Sequence, residues 1–294
     1  MNRVSWQRLK TAAPFLLPHF IGFLLFVLGP VLITFVISLF KWNMVNQAHF
    51  VGFGNYRQML GSDTFFGIAM LNTLYYTAGT VVIVLAASLG SALALNRGIP
   101  GRALFRTLYF VPNVSSLVAV SLVWLWIYNS DFGLLNNLLR LVGIQGPRWL
   151  SNTHTAMPAV MVMSAWTQFG FFTVIFLSGL QGIPRPLYEA AEMDGTNPLQ
   201  TLVRITLPLL SPTTFFVLVM CIINSFQVFE QTFVMTKGGP AFSTTTAVMY
   251  IYSTAFKFQQ MGYASALSWA LFLCIFSVTV VQLALQKRWV HYES

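Results

Sequence analysis

Charge is scarce in this chain. Of its 294 residues 8% are charged and 56% hydrophobic, whereas soluble domains carry about 25% charged residues. An ordinary water-soluble domain is therefore excluded. Acidic groups are scarcer still, seven against sixteen basic ones, giving a net charge of +9. The basic residues flank apolar runs and form no stripe or block, so the charge fits membrane orientation and not nucleic acid. Cysteine is nearly absent: Cys221 and Cys274 both sit in apolar runs. They offer neither a disulfide framework nor metal-ligand spacing and read as small packing residues. The dipeptide Gly-Lys never occurs, which removes the P-loop that would cradle a nucleotide's phosphates. A His-Glu-x-x-His zinc site and a Gly-x-Ser-x-Gly elbow are missing too. No motif in the sequence would bind or hydrolyse ATP.

What the sequence has is long apolar runs. A spanning helix needs about 20 mostly apolar residues, and six stretches qualify, at 14–40, 71–95, 104–128, 155–180, 208–234 and 263–286. The expected fold is all-α and polytopic: a tail at 1–13, a membrane domain at 14–287 and a second tail at 288–294. The first run is too long for a signal peptide and lacks a prompt small-x-small cleavage site, so it reads as an uncleaved span. His19 within it is expected to be satisfied by a neighbouring helix. Ala86-Ala87-Ser88 and Gly90-Ser91-Ala92 in the second run are small enough for helices to approach closely. The loop at 129–153 reads as irregular or partly helical. With the N-terminus inside, Arg3, Arg8, Lys10, Arg97, Arg102, Arg106, Arg185, Arg204, Lys287 and Arg288 are cytoplasmic. Lys41, Arg57, Arg140, Arg148, Lys237 and Lys257 are then external. Ten against six favours cytoplasmic termini.

Between the fourth and fifth runs lies Glu189-Ala190-Ala191-Glu192-Met193-Asp194-Gly195, continuing to Ile205-Thr206-Leu207-Pro208. Pro184 and Pro186 suit a helix's first turn. Gly195 can take the positive φ that ends a helix, and Asn197-Pro198 starts the next. By itself this is a helical hairpin joining two spans. The pattern of Glu-Ala-Ala, three residues, Gly, nine residues and Ile-x-Leu-Pro resembles the EAA loop of importer-type ABC permeases, spanning residues 184–208. Thr196 departs from the small Ala common there, a change read as tolerated. The resemblance implies that Glu189, Ala190, Ala191, Asp194, Gly195, Ile205, Leu207 and Pro208 couple to an ATPase subunit. Gly238-Gly239-Pro240, Thr244-Thr245-Thr246, Tyr250-Ile251-Tyr252 and Gly262-Tyr263-Ala264-Ser265-Ala266 look like the carbohydrate branch of these permeases. Pro112 and Gly179-Leu180-Gln181-Gly182-Ile183-Pro184 do too, so the likeness covers about residues 15–287.

One polar cluster interrupts an apolar run: Asn224, Ser225, Gln227, Glu230 and Gln231. On a continuous helix Asn224, Gln227 and Gln231 share a face, beside a stripe of Phe226, Phe229 and Phe233. Amides, a carboxylate and aromatic faces suit a hydroxyl-rich solute. A Glu in hydrocarbon normally faces a cavity or partner. A structural Glu230 at the outer water boundary is the other reading, because it lies about 33 Å from Pro208 on an ideal helix. Thr167, Gln168 and Thr173 are weaker candidates, since single polar residues usually tie helices together.

The resemblance implies a permease subunit moving a sugar, polyol or sugar phosphate across a prokaryotic cytoplasmic membrane by alternating access. It implies a second homologous permease, two ATPase subunits carrying ATP and Mg, and an extracytoplasmic solute-binding protein. No cofactor is expected on this chain. A secondary transporter or channel would be expected to show coupling-ion carboxylates or inverted repeats, and only Glu230 qualifies. A membrane enzyme lacks any nucleophile–base pair. The charge bias makes a direct prediction: reporters after Arg97 or near Gly195 read cytoplasmic, and one near Gly239 reads external. A cytoplasmic signal near Gly239 would overturn the six-span topology.

Overall fold

A computed structural model describes residues 3–97 and 100–290. Among the described residues four helices are long and apolar enough to cross a bilayer unbroken: Ala13–Ser38, Thr64–Asn96, Ala156–Gly182 and Met261–Gln286. Two further pairs pass only together, Arg102–Val114 with Leu117–Ile127, bent by 101°, and Pro198–Leu209 with Ser211–Phe226, bent by 67°. Counting each pair as one span gives six. The expected run 208–234 is thus corrected, because its helix stops at Phe226.

The chain forms two compact units. The first holds residues 1–63 and 251–272. Here the apolar helix Ala13–Ser38 has none of its most hydrophobic window buried, as suits a helix whose apolar surface is solvated by lipid. His19 is exposed, contrary to expectation, with Phe20 as a ring neighbour. A two-residue antiparallel ribbon follows, pairing Phe40 with Phe50 and Lys41 with His49. The buried Asn55 donates to the carbonyls of Ser38 and Phe40 at 2.7 and 3.0 Å. Gly262 donates to the carbonyl of Trp42 at 3.1 Å. It sits so close that a Cβ there would fall 1.8 Å from the Phe40 carbonyl oxygen.

The second unit holds 64–250 and 273–294. Its core packs Thr64–Asn96 against Ala156–Gly182, with Val84, Leu95, Phe172, Phe176, Leu210, Val217 and Cys221 in one cluster. Tyr76, Tyr128, Met157, Val160 and Met163 lie in another. Of the small residues singled out in the second span, only Ser88 and Ala92, one turn apart, are buried. Gly90 meets nothing within 4 Å. The close approaches are made elsewhere: an added Cβ would lie 1.8 Å from the Tyr109 carbonyl oxygen at Gly170 and 2.4 Å from Thr213 Oγ1 at Gly179. The loop after the third span contains a helix, Leu134–Leu141. The buried Asn136 there accepts from Trp149 Nε1 at 2.7 Å and donates to the carbonyls of Ser130 and Pro147.

A paired substitution checks this packing. Alanine favours a helix over glycine by roughly 1 kcal/mol, so Gly90→Ala is expected to leave the melting temperature of the purified chain unchanged or raised. At Gly170 the added carbon meets rigid backbone, and overpacking costs about 1–3 kcal/mol; Gly170→Ala is expected to melt earlier. Equal melting curves would refute the close approach.

Candidate functional site

The hairpin after the fourth span is assembled by local rules. Helix Arg185–Met193 starts behind Pro184, with Pro186 in its first turn. It ends in a Schellman motif: Gly195, at φ 70°, donates to the carbonyl of Glu192 at 3.0 Å, and the Thr196 amide donates to that of Ala191 at 3.1 Å. Thr196 is more than a tolerated change. Its hydroxyl donates to the same Ala191 carbonyl at 2.8 Å and lies 3.0 Å from Thr201 Oγ1. The next helix opens with a capping box, in which Gln200 N donates to Asn197 Oδ1 at 2.8 Å and Asn197 N to Gln200 Oε1 at 3.0 Å. Pro208 has no N–H to continue the ladder, and just before it the chain widens into a π-helical turn, Leu202–Thr206. Tyr188 and Thr206 hydroxyls, 3.2 Å apart, tie the two arms.

Of the coupling candidates, Ala191 alone is buried, while Ile205, Leu207 and Pro208 are half-buried. Glu189, Ala190, Asp194 and Gly195 are exposed. So are Leu187, Met193, Leu199 and Val203, Met193 at 89%. A rigid hairpin therefore displays an apolar rim with acidic groups among it.

The polar cluster of the fifth span is not one helical face. Gln227 leaves the helix at φ −94°, ψ 13°, and Phe229 turns away at φ −142°, ψ −58° before a new helix, Glu230–Met235. The freed Val228 carbonyl accepts from Thr246 Oγ1 at 2.9 Å. Thr246 is held in a threonine-laced loop. Thr244 Oγ1 donates to the Gly239 carbonyl at 2.8 Å, and Thr245 Oγ1 to that of Gly238 at 3.1 Å. Asn72 Nδ2 donates to the carbonyls of Phe242 and Thr245.

The break still gathers most of the cluster. A cavity of about 340 Å³ is lined by Asn224, Gln227, Val228, Phe229, Glu230 and Gln231 from this region. Thr167 and Gln168 of the fourth span join them, with Pro112, Asn113 and Leu117 from the other broken span. Asn113, Asn224, Gln227 and Glu230 are exposed to it. Among the described residues, no hydrogen bond within the chain holds the side chains of Asn224, Gln227 or Glu230. Gln168 Oε1 is buried and unpartnered. Ser225 and Phe226, at 1% and 2% exposure, pack into the protein and do not line the cavity. Thr173 bonds to its own helix through the Phe169 carbonyl at 2.8 Å. The aromatic stripe reduces to a Phe229–Phe233 stack at 5.1 Å. Asn113 escaped the sequence reading, although an amide directly after a helix-disrupting proline in an apolar run was a usable signal.

Helices broken opposite one another around a polar cavity, with a rigid hairpin between spans, define a solute permease of the type I ABC importer fold. Residues 85–291 match the family of the binding-protein-dependent transport system inner membrane component, and the chain belongs to it. The probable ABC transporter permease protein YesP of Bacillus subtilis is 35% identical over 95% of this chain and 91% of its own length. The arabinooligosaccharides transport system permease protein AraP of the same species is 33% identical over 96% and 91%. The trehalose/maltose transport system permease protein MalF of Thermococcus litoralis is 30% identical over 96% and 95%. A bacterial alginate ABC transporter, solved with an alginate pentasaccharide-bound periplasmic protein, shares the fold: its TM-score is 0.83 at 22% identity, covering 96% of this chain and 97% of that one.

The free side chains in the cavity set up a clean test. Because Asn224 and Gln227 hold no helix in place, Asn224→Ala and Gln227→Ala are expected to weaken uptake several-fold with assembly and basal ATPase activity unchanged. Loss of assembly would mean that they act as interhelical ties.

Proposed function

We propose that this chain is the permease subunit of an ABC importer for a carbohydrate, taken from an extracytoplasmic binding protein and moved by alternating access. One observation carries the reading: the cavity between the two broken spans offers Asn113, Asn224, Gln227 and Glu230 with Phe229 alongside. Amides donate and accept, as sugar hydroxyls do, and an aromatic face suits the C–H surface of a pyranose. The solutes named for AraP, MalF and the alginate transporter are all saccharides and support the same class.

The hairpin is the coupling element of this proposal. With ten of sixteen basic residues on the N-terminal side of the membrane, Arg185–Pro208 lies in the cytoplasm. Its exposed Leu187, Met193 and Leu199 meet an apolar groove on an ATPase subunit, and Glu189 supplies a charged contact at the rim. Two such ATPases, carrying ATP and Mg, and a second homologous permease complete the assembly. This chain contributes no cofactor site and no hydrolytic group. ATP-driven closure moves the hairpin as a solid piece, because the Schellman turn and capping box leave it little internal freedom.

Rigidity at the turn gives the test. Gly195 has open space around it but a φ of 70°, so Gly195→Val strains the backbone by roughly 1–2 kcal/mol without a clash. Gly195→Val and Glu189→Ala are expected to insert normally yet release the ATPase or uncouple its turnover from uptake in reconstituted complexes. Wild-type transport by both, with the ATPase retained, would reduce the hairpin to a connector.

A further inference from the structure

The first compact unit contains a cavity the transport route does not use. It measures about 570 Å³ and lies among the ribbon, the loop it encloses, helix Gly54–Gly61 and the turn before the sixth span. We propose that it is a second saccharide-binding site, which receives a hydroxyl-rich solute before the solute enters the membrane. The inference rests on the carbohydrate-importer reading above; in that topology residues 41–63 and 251–262 face the side from which substrate arrives.

The lining chemistry carries it. Asn46, Gln47, Gln58, Gln259 and Gln260 bring five carboxamides to one concavity. All five residues are exposed, and among the described residues no hydrogen bond within the chain occupies their side chains. A carboxamide both donates and accepts, matching a hydroxyl's two roles. The apolar faces come from Trp42 and Phe258; Trp42 is fixed by donating its indole N–H to the Asn46 carbonyl at 3.1 Å. No carboxylate lines the cavity, and Lys41 and His49 do, so a neutral or acidic saccharide is accepted and a cationic solute is not. The volume falls within the range of about 300–1,000 Å³ usual for small-molecule sites.

The amides are not a chance surface scatter. They come from three segments up to some two hundred positions apart in the chain, held together by backbone contacts that the sequence provides for. Gly262 permits the approach to Phe40 described above. Two further carboxamides at the wall are engaged within the protein: Asn43 Oδ1 accepts from the amides of Val45 and Asn46, and Asn55 donates to the carbonyls of Ser38 and Phe40, while Tyr263 donates its hydroxyl to Asp63 Oδ2. These residues build the wall and leave the other five amides for a ligand.

The test uses the assembled complex in lipid nanodiscs, without binding protein and in a Gln227→Ala background that weakens the membrane cavity. Wild-type uptake from a panel of maltose, arabinan and uronate oligosaccharides first identifies a transported saccharide. Its binding is then followed by saturation-transfer NMR. Gln47→Ala, Gln58→Ala and Gln260→Ala combined, all at exposed positions, are expected to weaken that binding about tenfold, equivalent to roughly 1.4 kcal/mol. Trp42→Phe, which keeps an aromatic face, is expected to weaken it less. Wild-type transport with NMR binding unaltered by the triple variant overturns this site alone. So does an outcome in which the triple variant loses only its association with the binding protein. If the wild-type complex with its binding protein carries no saccharide of the panel, the carbohydrate reading falls and this site falls with it.

Discussion

Inside a bilayer a backbone carbonyl that leaves its helix has no water to turn to, and each one left unsatisfied costs several kcal/mol. The structure depends on how two such breaks are made tolerable. In the third span Pro112 removes an N–H, and Ser115 and Ser116 run extended before the helix resumes at Leu117. In the fifth, the chain unwinds from Gln227 to Phe229, and the buried hydroxyl of Thr246 takes the Val228 carbonyl. Both breaks border the same cavity. Irregular backbone is allowed at membrane depth where it lines a polar space or is buried in protein, and here both conditions are met. The breaks are what bring polar side chains together around a cavity between two apolar runs.

The same logic orders the supporting loop. Thr236, Thr244, Thr245 and Thr246 place their hydroxyls on one another or on backbone carbonyls, and Thr73 accepts from the Ala247 amide at 2.8 Å. At the other end of the fifth span the hairpin is made rigid by a different set of local bonds. In the coupling role proposed above, a push on the hairpin would pass through Pro208 and the bend at Leu210 into Ser211–Phe226, the helix that ends at the cavity. Hairpin and cavity are joined by one short helix of 16 residues.

Much of this was legible in the sequence. The apolar runs marked the long apolar helices, because hydrocarbon demands length and apolarity alone. Gly195 and Asn197-Pro198 announced the hairpin, since helix ends obey local rules. The cluster at 224–231 was found by its polarity, but its geometry was misread: a period of 3.6 was assumed through a helix that stops at Phe226. Nothing in the local residues says that Thr246, eighteen positions on, would hold the break open. Small-residue packing was misplaced for the same reason. Gly90 looked like a contact and meets nothing, whereas Gly170 matters because of Tyr109, a partner no local pattern names. The amide-rich wall of the first unit was missed entirely, its members being unremarkable until the chain brings residues 46 and 260 together.

Alternating access at the cavity is measured most directly by its accessibility from each side of the membrane. A single cysteine at Gln227, in a background with Cys221 and Cys274 replaced by Ala, is labelled with a membrane-impermeant thiol reagent in the reconstituted importer. Alternating access at this cavity requires that the reagent reach it from one side of the membrane at rest and from the other in the nucleotide-trapped state, and that a transported saccharide slow the labelling. Reactivity from one side only, unaltered by nucleotide and by every transported saccharide, would contradict it.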